Sequence, residues 1–263
     1  MREHPGYGHR RVATALGINR KRIRRVMKLF GLKPARRAKT PRKPGDIDRA
    51  PQSFADITRI FSPCAPEVLW VSDFTFIPFH GGHVHLATVK DRFTREILGF
   101  AIMTSHPTEL IEKALQMALS SSGAVPDWFH SDQGSEYTSE EFLALLDSNG
   151  VRISMSPKAS PWRNGSQESF FDRFKIEFGD PDRFETIAEV VEALAQQIAY
   201  YNDHRIHSAL RMPPRKFRQQ WEHQKSRVAA KLTSPPAVVH SRLRGDRSCG
   251  LSSPPMDNRS PPT

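Results

Sequence analysis

The sequence predicts an α/β protein, with a mixed five-stranded sheet flanked by helices and a small basic two-helix module ahead of it. Between about residues 67 and 154, β-rich runs and amphipathic helical runs follow one another in the order β-β-β-α-β-α-β. At 263 residues the chain can bury one core of domain size and keep roughly a hundred residues for a module, linkers and tails. The positive charge sits at one end. Fifteen of the 39 Lys and Arg lie in residues 1–43 with a single acid, Glu3, while the other 220 residues carry −3 against +11 for the whole chain.

Arg10 to Leu16 reads as a short helix, Gly17-Ile18-Asn19 as a turn, and Asn19 as the N-cap of a second helix. In that helix Ile23, Val26, Met27 and Phe30 recur as one apolar stripe, leaving Arg20, Lys21, Arg24, Arg25 and Lys28 on the other faces. This is the layout of a helix-turn-helix whose basic helix lies along DNA, and the charge density favours that over a solvated face. Lys33 to about Pro66 is rich in Pro, Arg, Lys and Ala and reads as a linker without a packed core. Strands follow at Val68–Phe79, Val84–Val89 and Ile97–Met103, joined by short turns and hence antiparallel. Next come a helix at Thr108–Ser121, a short strand at Trp128–His130, a helix at Ser139–Ser148 and a strand at Val151–Ser154. Helices at Gln167–Phe178 and Glu185–Tyr201 close the ordered region, and from Ser234 the Pro, Ser and Arg content predicts disorder. The expected division is a DNA-binding segment at 1–34, a linker at 35–64, a catalytic core at 65–222 and a basic tail at 223–263.

Composition excludes several classes. Hydrophobic residues make up 38% and charged residues 25%, and no run reaches the roughly 18 apolar residues of a membrane span. The amino terminus lacks the apolar run of a secretory signal, so a cytosolic protein is the expectation. Cys64 and Cys249 are too few and too far apart for a disulfide framework or a zinc cluster.

Three acids stand where solubility does not require them. Asp73 interrupts the apolar run Val68 to Ile77, where a charge is costly unless it is paired or bound to metal. Asp132 follows the strand Trp128–His130 at its carboxyl end, with Gly134 just beyond, and strand ends of this kind face a ligand crevice. Glu168 falls in the first turn of the helix after Pro161 to Gly165. Hard divalent ions prefer carboxylate oxygens, and phosphoryl transfer is served by two such ions about 4 Å apart. Each acid alone also has a structural reading: Asp73 at a β-bulge, Asp132 as a turn former, Glu168 as a first-turn charge on a helix dipole.

Asp132 and Glu168 are separated by thirty-five residues, and Asp73 sits in Trp70-Val71-Ser72-Asp73-Phe74-Thr75-Phe76. This spacing resembles the Asp-Asp-Glu pattern of integrase-type transposases. The resemblance continues in His130-Ser131-Asp132-Gln133-Gly134-Ser135-Glu136-Tyr137-Thr138-Ser139 and from Ser156-Pro157-Lys158 through Trp162-Arg163-Asn164-Gly165-Ser166-Gln167-Glu168. Lys175, two helical turns after Glu168, is similar to the basic residue of the second-frame (orfB) transposases of the IS-three insertion-sequence family. Tyr200 to Leu210 resembles that family's closing motif, and His4 to Arg11 its helix-turn-helix segment. The resemblance spans residues 4–34 and 65–220.

It implies an RNase H-like, retroviral integrase-like core with two Mg²⁺ ions, or Mn²⁺ in their place. Asp73 would bridge both ions, with Asp132 and Glu168 each completing one shell. Lys175 would contact DNA phosphate, and Lys158 is grouped with it and with Arg20, Lys21, Arg24 and Arg25 as a DNA-contacting residue. The implied reaction is cleavage of a transposon end to leave a 3′-hydroxyl, followed by attack of that hydroxyl on target DNA. The implied partners are double-stranded DNA, further copies of the chain and an upstream-frame (orfA) product, in a bacterial cytoplasm and nucleoid-associated when bound. Glu136 and Arg163 depart from the family pattern, where Gln and an acid are common. Met1 also lies near the middle of the expected helix-turn-helix region, which suggests one frame of a frameshifted pair or a truncated copy.

Two further features are weighed. His80, His83 and His85 span a glycine hairpin with no Cys or acid nearby to complete a zinc shell, while His204 and His207 read as packing or phosphate contacts on the late helix. Trp162 could stack on a base or cap the core. The competing functions are a DNA-binding regulator that keeps the fold without catalysis and, ranked last, an RNase H-like repair nuclease.

Overall fold

The structure is a computed structural model and describes residues 4–35, 54–105, 108–156 and 165–233. Residues 36–53 of the expected linker, Lys158, Trp162 and the tail from residue 234 lie outside the described residues.

The amino-terminal module is two helices, α1 (His9–Leu16) and α2 (Arg20–Leu29), joined at Gly17, whose φ of 64° is a left-handed conformation that glycine adopts without strain. Asn19 caps α2 as its sequence suggests, its side chain accepting from the Lys21 amide at 2.8 Å. Ile23 and Met27 pack on Val12 and Ala13. Val26 and Phe30 are exposed, so only half of the expected stripe is buried: α1, barely two turns long, is too short to cover it.

The core is one five-stranded sheet in the order β3-β2-β1-β4-β5, formed by β1 (Leu69–Phe79), β2 (Gly82–Asp91), β3 (Ile97–Met103), β4 (Trp128–Ser131) and β5 (Arg152–Met155). β1, β2 and β3 are antiparallel neighbours, whereas β1/β4 and β4/β5 are parallel because helices α3 (Thr108–Ser122) and α4 (Glu140–Ser148) make the crossovers. Alternation along β1 sorts the two cores. Trp70 and Phe74 join Leu110, Ala114 and Leu115 of α3 and Phe142 and Leu146 of α4 on one face. Ile77 and Phe79 face the other way, against Phe170, Phe171, Phe174 and Phe178 of α5 (Gly165–Phe178) and Val190, Leu194 and Ile198 of α6 (Ile187–Asp203). A bulge between Val89 and Lys90 lets β3 change register, and Gly99 brings β3 against α3 so closely that a Cβ there would lie 2.2 Å from the Ala114 carbonyl.

Part of the sequence expected as linker is docked. Phe54 packs on the first core, Met155 donates its amide to the Ala55 carbonyl at 3.2 Å, and the Ile57 amide reaches Ser154 Oγ at 3.0 Å. Residues 54–57 therefore cover the β5 edge. The closing motif is likewise a clamp. Asn202 of α6 exchanges two hydrogen bonds with the Ile97 backbone at 3.0 and 2.9 Å, and Arg205 pairs with Glu177 of α5. The His4–Arg11 segment seats on that same corner. Tyr7 Oη accepts from the Ile206 amide at 2.7 Å, His4 Nδ1 hydrogen-bonds with Tyr200 Oη, and Arg11 reaches Glu177 at 3.4 Å. His207 is not on the helix, contrary to the sequence reading: α6 ends at Asp203, and His207 forms an isolated bridge with Met212. A last helix, α7 (Pro214–Thr233), ties back to the core through Arg215 and Arg218, which pair with Glu96 at 3.1 and 2.7 Å. From Lys225 the chain forms a separate compact unit, described as helix to Thr233.

Candidate active site

The parallel pairing of β1 and β4 positions two of the three singled-out acids. Its last rung is Val71 opposite His130, and Asp73 and Asp132 each stand two residues further on, where β4 has ended and β1 continues beside β2 alone. Alternation puts Asp73 on the α5 side of the sheet. Phe129 belongs to the opposite face, so continuing the alternation puts His130 and Asp132 on the α5 side as well. Among the described residues no group of three or more His, Cys, Asp or Glu is gathered as a metal site, and the Glu168 side chain lies outside those residues. Glu168 lies in the first turn of α5, the helix that covers this face.

The surroundings hold Asp132 in place. Its Oδ1 accepts from the Gly134 amide at 3.0 Å, and Gly134 leaves the room: a Cβ there would stand 3.2 Å from that oxygen and 3.0 Å from Glu136 Oε2. Burial raises the Asp132 carboxyl above the usual carboxylate range, Glu136 adds to the rise, and the Gly134 hydrogen bond opposes it. Below it His130 is buried, with Nδ1 2.8 Å from Ser154 Oγ and Nε2 3.0 Å from Ser156 Oγ. Burial pushes His130 down to about 4, so at neutral pH it is an uncharged brace. Tyr137 joins the two strands from the other face, its hydroxyl 2.9 Å from Ser72 Oγ. Burial, with Asp73 and more weakly Asp132 and Glu136, pushes that hydroxyl well above the usual phenol range, while the Ser72 hydrogen bond opposes the rise.

The remaining predicted residues fall apart from this crevice or beside it. Arg20, Lys21, Arg24 and Arg25 are exposed on α2. Lys175 donates to the Phe76 carbonyl at 2.7 Å, which sets its ammonium along β1 on the α5 side. His83 and His85 share a face as alternation required, their rings edge to face 5.4 Å apart. Sequence reasoning missed the cations flanking the acids. Lys90 is buried on β2 opposite Val71, its ammonium 4.2 Å from the Phe170 ring centre, and Arg92, Arg95, Arg173 and Arg205 gather nearby. A lysine directly ending the β-rich run Val84–Val89 was the available signal.

An integrase core domain matches residues 63–161, and a second integrase core domain model matches residues 149–214. The transposase for insertion sequence element IS904 of Lactococcus lactis subsp. lactis is 34% identical over 217 residues, which is 79% of this chain and 85% of that protein. The 31 kDa protein of insertion element IS600 from Shigella sonnei is 32% identical over 229 residues, 84% of each chain. Among solved structures, a chain in a simian T-cell lymphotropic virus intasome complexed with a PP2A regulatory subunit superposes with a TM-score of 0.54, at 12% identity over 95% of this chain and 81% of that one. The sheet and its helices are thus a retroviral integrase-like core. Among the described residues no helix is long and apolar enough to cross a membrane. With a third of the aligned residues identical across most of the length of an insertion-sequence transposase, and an integrase core domain matched over its sheet, the chain belongs to the insertion-sequence transposases, enzymes of DNA transposition.

Proposed function

We infer that Asp73, Asp132 and Glu168 together hold two Mg²⁺ ions, or Mn²⁺, and that the chain cuts a transposon end to leave a 3′-hydroxyl and joins that hydroxyl to a target strand. The observation that carries this reading is the level placement of Asp73 and Asp132, each two residues beyond the last β1/β4 rung. The donor set suits hard ions: carboxylate oxygens, one of them on a group whose burial makes ionisation costly without a cation beside it. When bound, the ions supply positive charge that activates the attacking oxygen and offsets charge on the leaving one.

The chain's own residues do the rest. Asp73, on β1 where only β2 still pairs with it, would be shared by both ions. Asp132, fixed by the Gly134 amide, serves one, and Glu168, carried by α5, serves the other. Lys175 steadies a phosphate of the transferred end from the same helix face. Residues 1–34 form a DNA-binding module in which Arg20, Lys21, Arg24 and Arg25 meet the phosphate backbone of double-stranded DNA. The chain works on DNA as an assembly of several copies and with an upstream-frame product.

Strand transfer on a duplex carrying the element's ends tests the acids. Asp132→Asn removes one ion-ligating charge, and a loss of several kcal/mol of transition-state stabilisation lowers the rate by about 10³-fold or more. Equal rates for both proteins in saturating Mg²⁺ would remove Asp132 from the site.

A further inference from the structure

We propose that the cavity between the β2–β3 turn, α5 and the chain just after α6 is a seat for a backbone phosphate of the DNA strand lying beside the acids. This deepens the active-site reading above and rests on it. The cavity has a volume of about 260 Å³, and Lys90, Arg92, Arg95, Arg173 and Arg205 line it together with His207 and Tyr201. Every charged side chain lining it is a cation. Two of them, Lys90 and Arg205, are 4% and 3% exposed, a costly position for a positive charge.

The acids nearby offset only part of this charge. Glu177 pairs with Arg205 and Asp91 acts on Arg95, while burial, Arg95 and Arg92 push the Lys90 ammonium well down against the opposing pull of Asp73. Among the described residues Arg92, Arg95 and Arg173 make no ion pair, yet all three line the same cavity. The turn that presents Arg92 and Arg95 is fixed. The buried Asp91 carboxylate accepts from the amides of Phe93 and Thr94 at 2.9 and 2.6 Å, and Arg95 takes a left-handed φ of 66° that a flexible turn would relax. A ring nitrogen also lacks a partner here, since His207 Nδ1 is buried with no hydrogen bond. Burial and then Arg95, Arg205, Lys90 and Arg173 push His207 down to about 3, in keeping with the cations gathered around it. A preformed group of cations around one cavity, with guanidinium forks and an orphaned ring nitrogen, suits a phosphate oxyanion.

Position selects the source of that phosphate. Ser169 and Phe170, which also line the cavity, directly follow Glu168 on α5, and Lys90 lies across the β1/β2 ladder from Val71, diagonal to Asp73. The cavity therefore adjoins the acid crevice on the same face of the sheet. A strand entering that crevice would place a neighbouring phosphodiester in it, which fixes the strand relative to the reacting bond.

The full chain is compared with the double variant R92Q/R173Q, with Arg173→Glu alone, and with Asp132→Asn. The readout is anisotropy of a labelled duplex at chloride concentrations between about 50 and 300 mM. Arg173 is exposed and Arg92 half-buried, so these changes leave the packed cores intact, and far-ultraviolet circular dichroism checks the fold. The plot of log affinity against log salt should lose about 0.9 of slope for each phosphate contact removed, so R92Q/R173Q and Arg173→Glu should each fall by roughly one. Asp132→Asn should keep the parent slope, so an unchanged strand-transfer rate in that variant would count against the acids and leave the phosphate seat standing. Unchanged slopes in both arginine variants would overturn the seat. Inorganic phosphate at constant ionic strength is the second arm: if it raises the melting midpoint of the parent but not of R92Q/R173Q while the slopes stay equal, the cavity serves a free anion and the DNA assignment falls.

Discussion

Glu177→Gln should be among the most damaging single changes in the molecule, although it lies away from the acids. Its side chain is 4% exposed and meets Arg205, itself 4% exposed, through Nε and Nη2, with Arg11 at 12% exposure joining from the amino-terminal module. Gln keeps the shape and removes the charge, leaving two buried guanidinium groups near Arg173 without a counter-charge. Breaking a buried pair in this way costs about 3–5 kcal/mol, whereas an exposed pair such as Lys113–Glu109, at 54% exposure on each side, contributes about 0.5 kcal/mol or less. With a urea dependence of about 2 kcal/mol/M, Glu177→Gln should lower the unfolding midpoint by about 2 M, and Glu109→Gln should barely move it. Arg205→Met added to Glu177→Gln should recover much of the loss, because an apolar side chain removes the uncompensated charge. Protease sensitivity should also rise in residues 4–35, since Gly6 and Arg11 both rest on Glu177. A loss below about 1 kcal/mol for Glu177→Gln, or no recovery in the double variant, would show that the corner is not held by this charge.

Two other outcomes can be checked in the same unfolding assay. Gly99→Ala forces a Cβ to within 2.2 Å of the Ala114 carbonyl and 2.4 Å of the Ala118 amide, so α3 must move off the sheet, and a loss of about 3 kcal/mol or more is expected; a neutral result would contradict the close β3–α3 packing. His207 is pushed down to about 3 in the folded chain against about 6.5 when unfolded, so the unfolded state binds the extra proton between those values and its contribution is present above pH 6.5 and lost as pH falls. His207→Gln should therefore lose less stability than the parent between pH 7 and 5, and parallel pH profiles would refute the shift.

Much of the fold was legible because β1 to β5 and α3 to α6 carry their periodicity in neighbouring residues. The acids were legible for a related reason: Asp73 and Asp132 stand out against apolar strands. What stayed hidden depends on pairing across long sequence separations. The docking of residues 54–57 on β5 uses backbone groups, which leave no mark on side-chain pattern. Tyr7 meets Ile206 and Asn202 meets Ile97, so two stretches readable only as motif text are in fact clamps. His207 leaves the helix because α6 stops at Asp203 and the chain turns into the Met212 bridge, which spacing alone does not indicate. The cationic cavity draws on a turn, a helix and a post-helix segment, each unremarkable in sequence.

Anomalous diffraction from crystals of the chain grown with Mn²⁺ and duplex DNA would test the metal assignment most directly. Peaks within about 2.0–2.2 Å of carboxylate oxygens of both Asp73 and Asp132, with Glu168 closing the second shell, are the expected result. Mn²⁺ bound elsewhere, with those carboxylates bare at a concentration that supports strand transfer, would contradict it.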